Sequence, residues 1–202
     1  LLAFNNDADR DLVALVYSGL LRYDEKGKLV PDLAKSYEIS TDGLAYTVYL
    51  KENAKWHDNV PVTADDGLFT IATAQNPDYV SPQRVSWQGV EVSRVNDHAV
   101  MFRLKNKYAQ FLNALTLGIM PKHLWQDVTP SSLTLSELNL KPVGSGPYEF
   151  DKFFKDRLGR IVSYELKAYK GYYDGQPYIE RIVFQFYDGE DAMIAAYISL
   201  LI

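Results

Sequence analysis

Hydrophobic and polar positions change period several times along the chain. Between Asp7 and Leu21 the apolar residues Leu12, Val13, Leu15, Val16 and Leu20 recur at helical spacing behind Asp7 or Asp9 as a cap, predicting an amphipathic helix that ends at Leu20-Leu21. Phe4-Asn5-Asn6 reads as a loop before it, Asp24 to Gly27 as a tight polar turn, and Leu29 to Ala34 as an apolar connector in which Pro31 forbids a central strand position. The period then becomes two. Tyr37 to Ser40 and Ala45 to Leu50 read as strands joined through Thr41-Asp42-Gly43, with Tyr46, Val48 and Leu50 on one face and Ala45, Thr47 and Tyr49 on the other. Thr63 opens a helix to about Gln75, with Asp66 three residues on as a variant capping box and Asn76-Pro77 as the stop.

Asp78 to Pro82 is a tyrosine-bearing loop, and Trp87 to Val95 with Ala99 to Leu104 predicts a second hairpin turned at Asn96-Asp97-His98. Tyr108 to Leu117 reads as a short helix with Phe111, Leu112 and Leu115 inward, Gly118 to Met120 as strand, and Lys122 to Asp127 as a helix with Pro121 in its first turn. Thr129 to Lys141 is polar with a weak helical pattern. A third hairpin is expected to pair Tyr148 to Phe154 with Ile161 to Ala168 across Asp156 to Arg160. Tyr169 to Tyr178 is a loop, Ile179 to Tyr187 a strand and Glu190 to Ile202 an apolar helix. The whole is a mixed α+β pattern.

Composition narrows the function classes. A net charge of −5 argues against nucleic acid or an anionic membrane as partner, since both call for a basic field. No apolar run approaches the roughly 20 residues of a spanning helix, and the chain starts at Leu1 without a basic leader or cleavage site, so an export signal is expected to have been removed. With no Cys, disulfides and thiolate chemistry are excluded. The 15 tyrosines suit either sheet surfaces or an adhesive cleft, because each ring is apolar with a polar tip.

Catalytic signatures are weak. His57, His98 and His123 are scattered, and Gly144-Ser145-Gly146 is one residue too tight on each side for a G-x-S-x-G elbow. Acidic groups such as Asp65-Asp66 and Glu190-Asp191 sit at helix starts, where the macrodipole favours them. No histidine pair has metal-ligand spacing, and "GSGP" leads into a strand rather than a phosphate-binding helix N-terminus. No enzyme, metal or cofactor is expected.

Gly19 to Asp66 carries an ordered series of pieces: Gly19-Leu20-Leu21, then Leu29 to Tyr37, Ser40 to Leu50, and Trp56 to Asp66. With "PVGSGPYEF" at Pro142 to Phe150 and the stretch from Tyr169 to Tyr197, this series resembles the family 5 extracellular solute-binding proteins, the peptide-, oligopeptide- and nickel-binding components of ABC importers. Asn59 stands where that family commonly has Gly, so it must adopt the left-handed conformation; Gly67 replaces a branched apolar residue and weakens its helix by roughly 1 kcal/mol relative to Ala.

The resemblance implies a longer protein of two periplasmic-binding-protein type II-like lobes around a cleft. Residues 1–18 plus 126–202 would form a partial first lobe and residues 19–125 an inserted extra domain, with the second lobe missing beyond Ile202, so that the chain is an N-terminal half that does not bind alone. The implied ligand is a peptide or other small solute, the partner a membrane permease, the intact state a monomer, and the location periplasmic or on the extracellular face of the membrane, lipid-anchored or free. Matching places ligand contacts at Asn5, Asn6 and Asp7 and at Gly144, Ser145 and Gly146, where the bland alternative is a helix cap and a corner. An oligosaccharide binder stacking sugars on Trp56, Trp87, Trp125 and tyrosines, or a protein-interaction module, are the alternatives.

Overall fold

The computed structural model describes residues 7–79 and 81–200. Helix α1 (Asp7–Val16) is shorter than the pattern predicts, and Leu20 and Leu21 do not close it. Their backbones are taken by distant segments: Leu20 O accepts from Asp32 N and Ala34 N, both at 3.0 Å, and Leu21 N donates to Leu115 O at 3.0 Å. Leu21 instead begins β1 (Leu21–Tyr23), which pairs with β2 (Leu29–Pro31) around the Asp24 turn, where Asp24 Oδ1 accepts from Lys26 N and Lys28 N at 2.9 and 2.8 Å. This sheet has two strands, so the missing N–H of Pro31 interrupts no central ladder.

Strands β3 (Ala34–Ile39) and β4 (Ala45–Leu50) pair as the Asp-Gly signal predicts, with Tyr37 opposite Val48, and Tyr46, Val48 and Leu50 are buried. Asn59 takes a φ of 70°, the left-handed turn expected of it. Helix α2 (Ala64–Gln75) starts at Thr63, whose N–H donates to Asp66 Oδ2 at 2.8 Å, and stops before Asn76-Pro77. The strand predicted from Trp87 begins later, because Arg84 to Trp87 winds into a short helix, α3 (Arg84–Trp87), that drops the Trp87 ring into the core. Strands β5 (Val90–Asn96) and β6 (Ala99–Leu104) complete a four-stranded antiparallel sheet ordered β3-β4-β6-β5.

Helices α4 (Phe111–Ala114) and α5 (Lys122–Trp125) are shorter than expected. Between them Gly118 to Met120 makes a single bridge, Gly19 to Gly118, rather than a strand. Tertiary partners claim its amides: Ile119 N donates to Ser18 O at 2.9 Å and Met120 N to Thr70 Oγ1 at 2.8 Å. Residues 129–141 hold two short 3-10 turns, Pro130–Leu135 and Glu137–Asn139. Strands β7 (Tyr148–Lys155), β8 (Ile161–Ala168) and β9 (Arg181–Gln185) form a three-stranded antiparallel sheet, followed by α6 (Glu190–Leu200).

Two apolar cores result. The larger is built from Leu20 to Trp125 and centres on Trp56, Trp87, Phe102 and Phe111; ring centroids of Trp87, Phe102 and Phe111 lie 5.8 to 5.9 Å apart. The smaller packs Val16 and Tyr17, at the end of α1, on Tyr148, Tyr164, Leu166 and Ala168 of the second sheet. The segments 142–147 and 169–174 run between them.

Candidate functional site

The glycine turn lies where the two cores meet. Val16 ends α1 with carbonyls that no helical N–H can satisfy, and Gly146 N donates to Val16 O at 2.9 Å. That contact requires residues without side chains. A Cβ on Gly144 would sit 1.8 Å from Val16 O, and one on Gly146 2.5 Å from Leu15 O. Close backbone approach at both glycines is therefore to α1. Ser145 between them is fully buried, and its Oγ has no hydrogen-bond partner among the described residues.

His57 holds the other side of this turn. Its N–H donates to Gly144 O at 2.8 Å, its Nδ1 lies 3.2 Å from Gly144 N and its Nε2 3.0 Å from Gly146 O. Burial pushes the imidazole down to about 4, against weaker upward effects from the Gly146 carbonyl and the Asp58 carboxylate. Tyr169 meets the ring edge-on at a centroid distance of 4.9 Å, donates through its hydroxyl to Trp56 O at 2.9 Å, and donates its backbone N–H to Pro147 O at 2.9 Å. The next residue, Asp58, pairs with His123 Nε2 at 2.7 Å near the surface.

A second polar cluster ties the same segments together. Asp32 is buried, and its Oδ1 accepts from the Tyr173 hydroxyl at 2.5 Å. The same hydroxyl lies 2.8 Å from Ser18 Oγ. Burial raises the Asp32 carboxyl above its ordinary value, opposed by the Tyr173 hydrogen bond and then by Arg22 and Lys51. Lys51 Nζ lies 4.5 Å over the Tyr173 ring and 3.7 Å from Asp174, which Arg22 also reaches at 3.2 Å.

The predicted site residues fall in two places. Asn5 and Asn6 lie outside the described residues. Asp7 is exposed at the start of α1 and pairs with Arg10 at 2.9 Å. Gly144, Ser145 and Gly146 lie at the far end of the same helix, about 14 Å away at 1.5 Å per residue. The three tryptophans are core residues, Trp56 at 0%, Trp87 at 1% and Trp125 at 3% exposure, so they offer no face for stacking a sugar. Sequence reading missed the bracing role of His57, Asp32, Tyr169 and Tyr173. His57 and Gly144 are 87 positions apart, and no periodic or spacing signal links them.

This arrangement, a sheet-and-helix module braced onto a second sheet and α1, is shared with known transport proteins. Oligopeptide-binding protein AppA of Bacillus subtilis (strain 168) is 33% identical over 194 residues, covering 94% of this chain and 35% of AppA. The dipeptide-binding protein of Escherichia coli (strain K12) is 32% identical over 178 residues, 78% of this chain and 32% of its own length. Among solved structures, B. subtilis AppA in complex with a nonapeptide superposes with a TM-score of 0.89 at 32% identity, over all of this chain and 40% of that one. NikZ from Campylobacter jejuni in complex with Ni(L-His) gives 0.87 at 34%, over all of this chain and 39% of that one. Residues 28–199 match the model for bacterial extracellular solute-binding proteins, family 5 (Middle), and the chain belongs to this family. It spans between about a third and two fifths of the length of these relatives, less than the half that the resemblance implies.

Proposed function

We propose that this chain supplies one wall of the interlobe cleft in the solute-capturing component of an ABC importer, and that the solute is a peptide. The observation that carries this reading is the likeness to AppA in complex with a nonapeptide, which extends over the whole chain. A solute-binding protein works without bond-making, so the reading calls for no enzyme chemistry. The family's extracellular character supports a place outside the cytoplasmic membrane; the reading further takes a membrane permease as partner, a monomer as the working state, and a protein either free or lipid-tethered.

In this reading residues 1–18 and 126–202 belong to the lobe that lines the cleft and residues 19–125 form an extra domain; the change of core between Tyr17 and Leu20 supports the first boundary, while Val128, Leu133, Leu138, Val143 and Tyr173 still pack on the larger core. Asn5, Asn6 and Asp7 contact ligand in this reading, which the exposure of Asp7 at the start of α1 supports. Gly144 and Gly146, with Ser145 between them, support α1 from its carboxyl end, their polar backbone engaged by Val16 and His57. A metal chelate is the second reading, favoured by the likeness to NikZ with Ni(L-His). Main-chain recognition of an extended peptide needs both walls, so residues 1–202 alone are expected to give no binding heat.

Titration calorimetry of the full-length gene product decides. Micromolar or tighter heats with a tri- to pentapeptide pool are expected. Heats with Ni(L-His) alone would establish the second reading, and heats with neither peptide nor chelate would overturn both.

A further inference from the structure

His57 has both ring nitrogens committed to one three-residue turn. Gly144 N–H can only donate, so Nδ1, 3.2 Å away, accepts and carries no proton. The Gly146 carbonyl can only accept, so Nε2, 3.0 Å away, carries the hydrogen. The ring is thus the neutral Nε2–H tautomer, and the backbone bond from His57 N to Gly144 O adds a third attachment. A second proton would place an Nδ1–H against the Gly144 N–H. On the other side of the turn, Gly146 N–H grips Val16 O, and neither glycine leaves room for a side chain against α1. The groups facing the ring are Asp58 on its own loop, Tyr169 from the segment after β8, and the uncharged backbone of 144–146.

We propose that His57 is a positioning residue for solute capture: as a neutral imidazole it clamps the Gly144–Gly146 turn, and the turn fixes the carboxyl end of α1, the helix whose opposite end carries Asp7. This rests on the solute-binding reading above. The depressed proton affinity of the half-buried ring agrees with it, since the clamp then persists well below neutral pH. No other side chain links residues 55–61 to both glycines of the turn among the described residues.

The test uses the full-length gene product with ¹⁵N-labelled histidine. The His57 ring is expected as the Nε2–H tautomer from pH 8 to pH 5, with Gly144 N–H strongly protected from exchange. His57→Phe keeps the ring volume and removes both bonds. It is expected to lose Gly144 protection and to weaken peptide binding about tenfold, while unfolding stays cooperative. His57→Gln keeps a donor near Nε2 and His57→Asn an acceptor near Nδ1; each is expected to restore part of the affinity, and they carry the comparison if His57→Phe does not fold. An Nδ1–H or charged ring at pH 6, or a folded variant with wild-type affinity and lost Gly144 protection, overturns the proposal. If the wild-type protein binds no peptide or chelate, the functional reading fails by itself, and tautomer and Gly144 exchange still judge the clamp.

Discussion

At the scale of single residues, burial and backbone contacts set what each group can do. His57 loses proton affinity on folding, from an ordinary value near 6.5 to about 4, so the folded state binds that proton more weakly than the unfolded chain. Stability from this group is complete above pH 6.5 and falls as pH drops towards 4, by about 3 kcal/mol at most. The carboxyls of Asp32 and Asp66 are raised by burial and act in the opposite sense at the acidic end. The His57 share is therefore read as a difference. Urea midpoints of wild type and His57→Asn, measured from pH 7 to 4, should converge as pH falls, and parallel curves would refute the assignment. Gly144 is the strictest position: with a Cβ only 1.8 Å from Val16 O, Gly144→Ala must displace α1 or the turn and should cost more than about 3 kcal/mol in the same assay. Ser145→Ala should be neutral or slightly stabilising in thermal melts, because it removes a buried hydroxyl that has no partner among the described residues.

At the scale of elements, Asp66 does more than cap a helix. Its Oδ2 receives Thr63 N–H at 2.8 Å and its Oδ1 receives Lys122 N–H at 2.9 Å, so one carboxylate closes the start of α2 and the start of α5. Asp66→Ala strands two amides and is expected to cost about 3 kcal/mol by chemical denaturation, well above the roughly 1 kcal/mol of a simple cap. Gly67, the next residue, is buried and departs from the branched residue common in the family, yet its surroundings leave room for a methyl group. A Cβ there would lie 3.6 Å from Val100 Cγ2, an ordinary contact. Gly67→Ala should therefore stabilise α2 and the protein by about 1 kcal/mol, and a lower melting temperature would refute that.

At the scale of the whole molecule, two cores are held together by polar links rather than by one continuous apolar interior. The Tyr173 hydroxyl joins Asp32 to Ser18, and Tyr169 joins Trp56 to Pro147. Tyr173→Phe keeps the ring under Lys51 but leaves the buried Asp32 short of a donor. A loss of about 1–3 kcal/mol is expected, with hydrogen exchange rising first in residues 18–33 and 169–174. Uniform exchange across both cores would show that the link is not local. Helix α6 presents Met193, Ile194, Tyr197 and Ile198 at half exposure or more, in keeping with a chain that spans only part of the length of its relatives.

Local pattern determined much of this protein. The Asp-Gly hairpin, the Thr63–Asp66 start of α2, the stop at Asn76-Pro77 and the α+β class follow from preferences that act over a few residues, and the left-handed Asn59 from the family resemblance. The ordered motifs carried the family. Tertiary structure decided where those preferences yield. Leu20 and Leu21 left their helical pattern because Asp32, Ala34 and Leu115 claim their backbone, and Gly118 to Met120 gave up a strand because Ser18 and Thr70 claim its amides. The turn at 144–146 was legible as ligand contact or as a corner, but not the surface its glycines approach. That surface is α1 on one side and an imidazole 87 positions away on the other, brought there by folding. Hydrogen bonds between segments so far apart leave no periodicity in the chain, and only the packed molecule shows which backbone group each side chain meets.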